Sequence, residues 1–306
     1  MRYVPHEYQE YAKEFIVSHK VSALFLDCGL GKTVITLTAI WELLFDYFDI
    51  RKILIIGPLR VSRDTWPAEL EKWDHLSGVG MSVALGSEKE RLSALGRKAQ
   101  VYVINRENVE WLVNESGIPF DFDMVVIDEL SSFKSHKVKR FKALKKVRPM
   151  VRRIVGLTGT PAPNGLIDLW AEIGILDMGQ RLGRFIGGYR ERFFVPDKRS
   201  REMVFSYKPR EGAEEAIYEL ISDICISMKA VDYLDMPECI YNRVEVVLSE
   251  KEMALYGQLE RDMLLPFADG DIDAVNAAAL SNKLLQMADG AVYDENGNVK
   301  HIHDRK

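Results

Sequence analysis

The sequence predicts an α/β fold in which a parallel sheet is flanked by helices. Three observations carry this prediction. Short apolar runs alternate with longer helical patterns, as repeated strand–helix units do. Several of the runs are apolar nearly throughout, which suits strands covered on both faces. Three of them end, in chain order, in residues able to hold a ligand at a sheet edge. The predicted strands lie at 21–26, 53–57, 81–85, 101–105, 124–128 and 154–158. Helices are predicted at 6–18, 32–47, 66–73, 87–95, 107–113, 137–146 and 166–176. Pro67 falls in a first turn, where its missing N–H costs nothing.

Beyond about residue 176 the periodicity loosens. Gly183, Gly187 and Gly188, set among basic and aromatic residues, predict an irregular, partly helical insertion at about 178–210. A helix at 211–222, a strand at 224–228 and an alternating strand at 240–248 follow. Ser249 and Glu252 form a capping box for a helix to about residue 265, and a further helix is expected at 274–287. Asn296-Gly297 between two apolar runs predicts a hairpin. The chain thus divides into a lobe at 1–249, insertion included, and a helical and hairpin segment at 250–306.

With 306 residues, 47% hydrophobic, and a net charge of −5, the composition excludes disordered and fibrous classes. No apolar run reaches the roughly 18 to 20 residues of a membrane helix. The first residues lack a basic-then-apolar signal, so a cytoplasmic location without membrane attachment is expected. Cys28, Cys225 and Cys239 are too scattered for a disulfide framework or zinc cluster, and each is expected to be a buried free thiol. His301 and His303 are expected at the surface, not on a metal. Ten basic residues and no acid lie between Lys134 and Arg153, and a second basic stretch runs from Arg181 to Arg210 with aromatics interleaved. Either stretch suits a polyanion or a solvated helix face. The five tryptophans, Trp41, Trp66, Trp73, Trp111 and Trp170, are expected in helices and in the core.

The residues that carry chemistry stand at the ends of predicted strands. Asp27-Cys28-Gly29-Leu30-Gly31-Lys32-Thr33 follows an apolar strand and opens a helix, the context of a phosphate-binding loop. Its glycines let backbone N–H groups turn toward phosphate oxygens, and the helix N-terminus adds partial positive charge. Lys32 would neutralise the β and γ phosphates, and Thr33 would ligate Mg²⁺. Asp128 and Glu129 end a second apolar strand: Asp128 would hold the metal, and Glu129 would orient or deprotonate the attacking water. Leu157-Thr158-Gly159-Thr160-Pro161 ends a third.

Taken together, Tyr8-Gln9, DCGLGKT, GPLRVSRDTWPAELEKW, VINREN, VVIDELSSFK and LTGTPAPN resemble the ordered motifs of superfamily-two helicase ATPases of the Swi/Snf type, most closely the compact phage-encoded members. The resemblance runs from about Val4 to Ser249. It implies a RecA-like P-loop lobe that uses ATP and Mg²⁺. It implies further that Gln9 reads adenine; that Gly29, Leu30, Gly31, Lys32 and Thr33 hold the nucleotide; and that Asp128 and Glu129 are the catalytic carboxylates. Thr158, Gly159 and Thr160 would couple nucleotide state to movement of double-stranded DNA. Pro58, Leu59 and Arg60, with Asn105 and Arg106, would lie near the DNA backbone. Ser131 stands where many members carry a histidine. A second RecA-like lobe, whose arginines reach the γ-phosphate, is expected outside this chain, which alone would then hydrolyse ATP slowly. Two alternatives remain at this point: another P-loop ATPase subunit acting on nucleic acid, and a DNA-binding scaffold that nucleotide merely stabilises.

Overall fold

The computed structural model describes residues 1–197, 204, 206–234, 240–266, 271–274 and 276–305. Cys239 lies outside them, as do Lys198, Arg199 and Arg201 of the second basic stretch. The chain forms two compact units, 1–236 and 237–306, so the division falls at Met236/Pro237 where the sequence suggests 249/250.

In the first unit the strands are β1 (Val21–Leu26), β2 (Ile53–Gly57), β3 (Met81–Ala84), β4 (Val101–Asn105), β5 (Met124–Asp128), β6 (Arg153–Thr158), β7 (Phe194–Pro196), β8 (Tyr207–Pro209) and β9 (Cys225–Met228). β7 and β8 form a separate antiparallel pair. The other seven make one parallel sheet, ordered β3-β4-β2-β5-β6-β1-β9. Its helices are α1 (Glu7–Ser18), α2 (Lys32–Phe45), α3 (Trp66–Lys72), α4 (Glu88–Leu95), α5 (Val109–Asn114), α6 (Lys139–Val147), α7 (Leu169–Asp177), α8 (Ile186–Phe193), α9 (Ala213–Ile221) and α10 (Ala230–Tyr233).

Alternation along each strand explains why the runs are apolar throughout. Ala23 and Phe25 of β1 join Leu54 and Ile56 of β2 in one apolar cluster with α5, α6 and α7. Leu24 and Leu26 join Ile53 and Ile55 in a second cluster with α1 and α2. Successive side chains point to opposite faces, and both faces are covered.

The insertion is more ordered than its glycines suggest, because α8 and the β7–β8 pair occupy it. The segment 240–248 is the reverse case: its alternation predicts a strand, yet it pairs with nothing among the described residues, and Ile240, Tyr241, Val244 and Val247 are exposed. A strand needs a neighbour to take its backbone hydrogen bonds, which alternation alone does not supply. In the second unit, α11 (Glu250–Asp262) starts at the expected Ser249 capping box. α12 (Ala277–Ala288), the pair β10 (Leu264–Leu265) and β11 (Ile272–Asp273), and the hairpin β12 (Ala291–Tyr293) and β13 (Val299–His301) complete it. Leu259, Leu265, Ile272, Met287 and Val292 form its core. His303, expected at the surface, is buried, whereas His301 is exposed.

The basic block is only partly a surface feature. Arg148 is buried and donates to the carbonyls of Leu176 and Val151, both at 2.9 Å. Arg153, also buried, ties Asp49 to the carbonyls of Ile16, Val17 and His19. Lys137, Lys139, Lys142, Lys145 and Lys146 stay exposed on and before α6. In the second stretch Arg181 is bound to Asp177 and Asp223, while Arg184 and Arg192 remain exposed. No helix among the described residues is long and apolar enough to cross a membrane.

Candidate active site

Strand order brings the motifs together. β5, β6 and β1 are adjacent, with Asp128 opposite Leu157 and Phe25 opposite Thr158. The phosphate loop, the carboxylate pair and the Thr158–Thr160 turn therefore leave the same edge of the sheet side by side. Asp27 locks the start of the loop: its Oδ2 accepts from the Ala230 N–H at 2.9 Å, just beyond β9.

Gly29 and Gly31 have φ of +90° and +81°, a region that side chains rarely adopt. Gly31 has a second reason to be glycine, since a Cβ there would sit 2.6 Å from Gln9 Nε2. Gln9 is buried in the first turn of α1. Its Oε1 accepts from the His6 N–H at 3.0 Å, and its Nε2 donates to the Leu30 carbonyl at 3.4 Å. Lys32 Nζ donates to the carbonyls of Leu26 at 2.7 Å and Asp27 at 3.1 Å, which holds its charge inside the loop. A cavity of about 520 Å³ opens here, lined by Gln9, Gly29, Gly31, Lys32 and Thr33 on one side and Tyr3, Glu69 and Trp73 on another. Leu30 does not line it: its side chain is fully buried, and it serves through its carbonyl. Cys28, expected to be buried, is exposed on the same wall, because the turn that presents the glycines to a ligand also presents their neighbour.

Asp128 sits largely buried, and burial pushes its carboxyl pKa up. The indole N–H of Trp66 works against that shift by donating to Asp128 Oδ2 at 2.9 Å. Trp66 is fully buried at the start of α3. It is core, as expected, and also the partner of the acid, a contact across 62 residues that no local spacing announces. Trp66→Phe keeps a ring and removes the donor. We expect it to cost about 1 to 3 kcal/mol, read as a lower urea midpoint at unchanged slope; an unmoved midpoint would show that the bond contributes nothing. Trp73 departs from expectation, lying just past α3, half-buried on the cavity wall.

Glu129 has φ +65°, a strained value for this residue type, at the sharp turn after β5. Two hydroxyls hold its side chain. Ser131 Oγ and, at 3.1 Å, Thr158 Oγ1 both donate to Glu129 Oε1. Thr158 Oγ1 in turn accepts from the Thr160 N–H at 3.1 Å. Ser131, in the place of the histidine, thus joins a chain of hydrogen bonds from the carboxylate loop to the next turn. Gly159 lies against the phosphate loop, where a Cβ would meet the Leu26 carbonyl at 3.3 Å.

Farther along the edge, Gly57 of β2 is opposite Asn105 of β4, so the stretches 58–60 and 105–106 leave adjacent strand ends. Leu59 and Arg60 are exposed. Asn105 is not free for a ligand: its buried side chain donates to Glu107 and accepts from Asn108. Arg106 is half-buried and paired with Glu107 at 2.9 Å.

A parallel sheet of this order, with a phosphate loop after one strand and paired carboxylates two strands away, defines a RecA-like P-loop ATPase lobe. The chain belongs to the SNF2-related domain family, whose model matches residues 8–292. It is 36% identical over 311 aligned residues to protein p41 of Acyrthosiphon pisum secondary endosymbiont phage 1, covering 99% of this chain and 68% of that protein. A DNA excision repair protein ERCC-6-like from Mus musculus is 31% identical over 58% of this chain and 14% of its own length. The SWI2/SNF2 ATPase core of Sulfolobus solfataricus, solved in complex with dsDNA, superposes with a TM-score of 0.62 at 21% identity, over 95% of this chain and 59% of that one.

Proposed function

We propose that this chain is the ATP-binding lobe of a double-stranded-DNA-dependent ATPase motor. The observation that carries this is the hydrogen-bonded link from Glu129 through Thr158 to Thr160. A scaffold has no use for a water-activating carboxylate tied to a neighbouring turn, whereas a motor must pass a change at the γ-phosphate to the rest of the molecule. The dsDNA in the complex of the Sulfolobus solfataricus core and the repair protein's name support the choice of partner.

In this reading Gln9 selects adenine and fixes Gly31 beneath it. Lys32 leaves the Leu26 and Asp27 carbonyls for the β and γ phosphates. Thr33 and Asp128 suit Mg²⁺ because both offer hard oxygen donors beside the glycine cradle, and the metal when bound would neutralise charge on the phosphates. Glu129, held by Ser131 and Thr158, orients and deprotonates the attacking water. Leu59 and Arg60 face the DNA backbone with the exposed lysines of α6; Pro58 shapes that strand end, while Asn105 and Arg106 act by holding their loop. The segment 250–306 leads toward a second RecA-like lobe, which the additional length of the relatives has room for. An arginine supplied from that lobe is worth about 10³ to 10⁵ in rate, so this chain alone should turn over slowly.

The test is phosphate release by the chain with Mg²⁺-ATP, with and without duplex DNA, using Lys32→Ala as the blank. DNA-stimulated release above the blank is expected, together with DNA affinity that falls linearly on a log–log plot against salt. Binding indifferent to salt would remove the phosphate-contact part of the proposal.

A further inference from the structure

Glu172 is fully buried on α7, and its carboxyl has only a weak contact from the Ala162 backbone, with no hydrogen bond of ordinary geometry to either oxygen. Nothing in the hydrolysis scheme above uses it. A buried carboxyl so weakly partnered calls for a reason, because an ionised carboxylate there is far more costly than a neutral acid. Its position supplies one. α7 packs on both the helical turn Leu130–Phe133 that follows Glu129 and strand β6, which leads into the Thr158–Thr160 turn. The charged and titratable groups that face Glu172 come from every side: Asp168 before α7, Glu129 and Lys134 from the carboxylate loop, and Tyr218 from α9. The Ala162 backbone, at φ +54°, approaches from the far end of the turn. That end is tied down by Asp168, whose Oδ2 accepts from the Asn164 N–H at 3.0 Å.

We propose that Glu172 is a positioning residue for ATP hydrolysis: a neutral carboxyl wedged between the carboxylate loop and the turn beyond β6, which keeps the two in register. This rests on the function proposed above. Burial, with Asp168 next, raises its pKa to about 8, and the Ala162 backbone and Lys134 offset only part of that. Above that pH the acid gives its proton to solvent. The charge left behind repels Asp168 and Glu129, the base that must stay aimed at water.

The experiment compares wild type with Glu172→Gln, neutral and of the same shape at every pH, and with Glu172→Met as a second neutral variant. Wild-type kcat should fall about ten-fold between pH 7 and pH 9, as the neutral fraction does, with KM little changed because the nucleotide cavity lies elsewhere. Both variants should hold their pH 7 rate. Superimposable wild-type and variant profiles would overturn the proposal. If no form exceeds the Lys32→Ala blank, the motor reading is what fails, and amide exchange still tests Glu172. Protection across 129–134 and 158–165, corrected for intrinsic rates, should drop several-fold above pH 8 in wild type alone; protection that stays level would overturn the inference.

Discussion

Glu129→Gln is expected to leave nucleotide affinity within a few-fold of wild type and to lower turnover by about 10² to 10⁴, the usual worth of a general base. The structure makes this substitution unusually clean. Glutamine keeps the oxygen that Ser131 and Thr158 donate to, and it meets the same backbone constraint at φ +65°. Loop geometry should therefore survive while basicity is lost. Titration of a fluorescent ATP analogue, beside phosphate release, separates the two quantities. Retained turnover would mean that Glu129 positions the water without taking its proton.

Lys32→Ala should act on the other quantity. Its ammonium donates to two carbonyls of the loop, and of the two lysines that line the cavity, Lys32 and Lys72, it is the one at the glycine-rich turn. Each charge-assisted hydrogen bond to phosphate is worth about 1.5 to 3 kcal/mol, so losing them should weaken ATP binding by at least about 10²-fold. The variant should still fold, since Val34, Ile35 and Leu37 anchor α2 independently of the lysine. Calorimetric titration with Mg²⁺-ATP and an unfolding curve check both halves. Wild-type affinity in Lys32→Ala would place the triphosphate elsewhere.

Much of this architecture is legible in the order of residues. Strands at 21–26, 53–57, 101–105 and 124–128 are readable to the residue, because a strand buried on both faces must be apolar at every position and ends where the polar site begins. The Gly-x-Gly-Lys-Thr turn and the Asp128-Glu129 pair are equally plain, since their chemistry is local to a few residues. Contacts between distant residues are not. Trp66 reads simply as core, and Asp128 is 62 residues away. Arg148 and Arg153 count toward a cationic surface, yet both are spent on backbone carbonyls inside the fold. Residues 240–248 alternate as a strand does and still form none.

The sequence alone determined the kind of element at most points and the residue types at its end, because periodicity and turn chemistry act over a few residues. Tertiary structure decided which strand ends became neighbours. Only the order β5-β6-β1 sets Thr158 against Glu129, and only the packing of α7 buries Glu172 behind them. Burial and dielectric surroundings are properties of the assembled fold, and they decide whether a carboxyl is a base, a metal ligand or a neutral wedge.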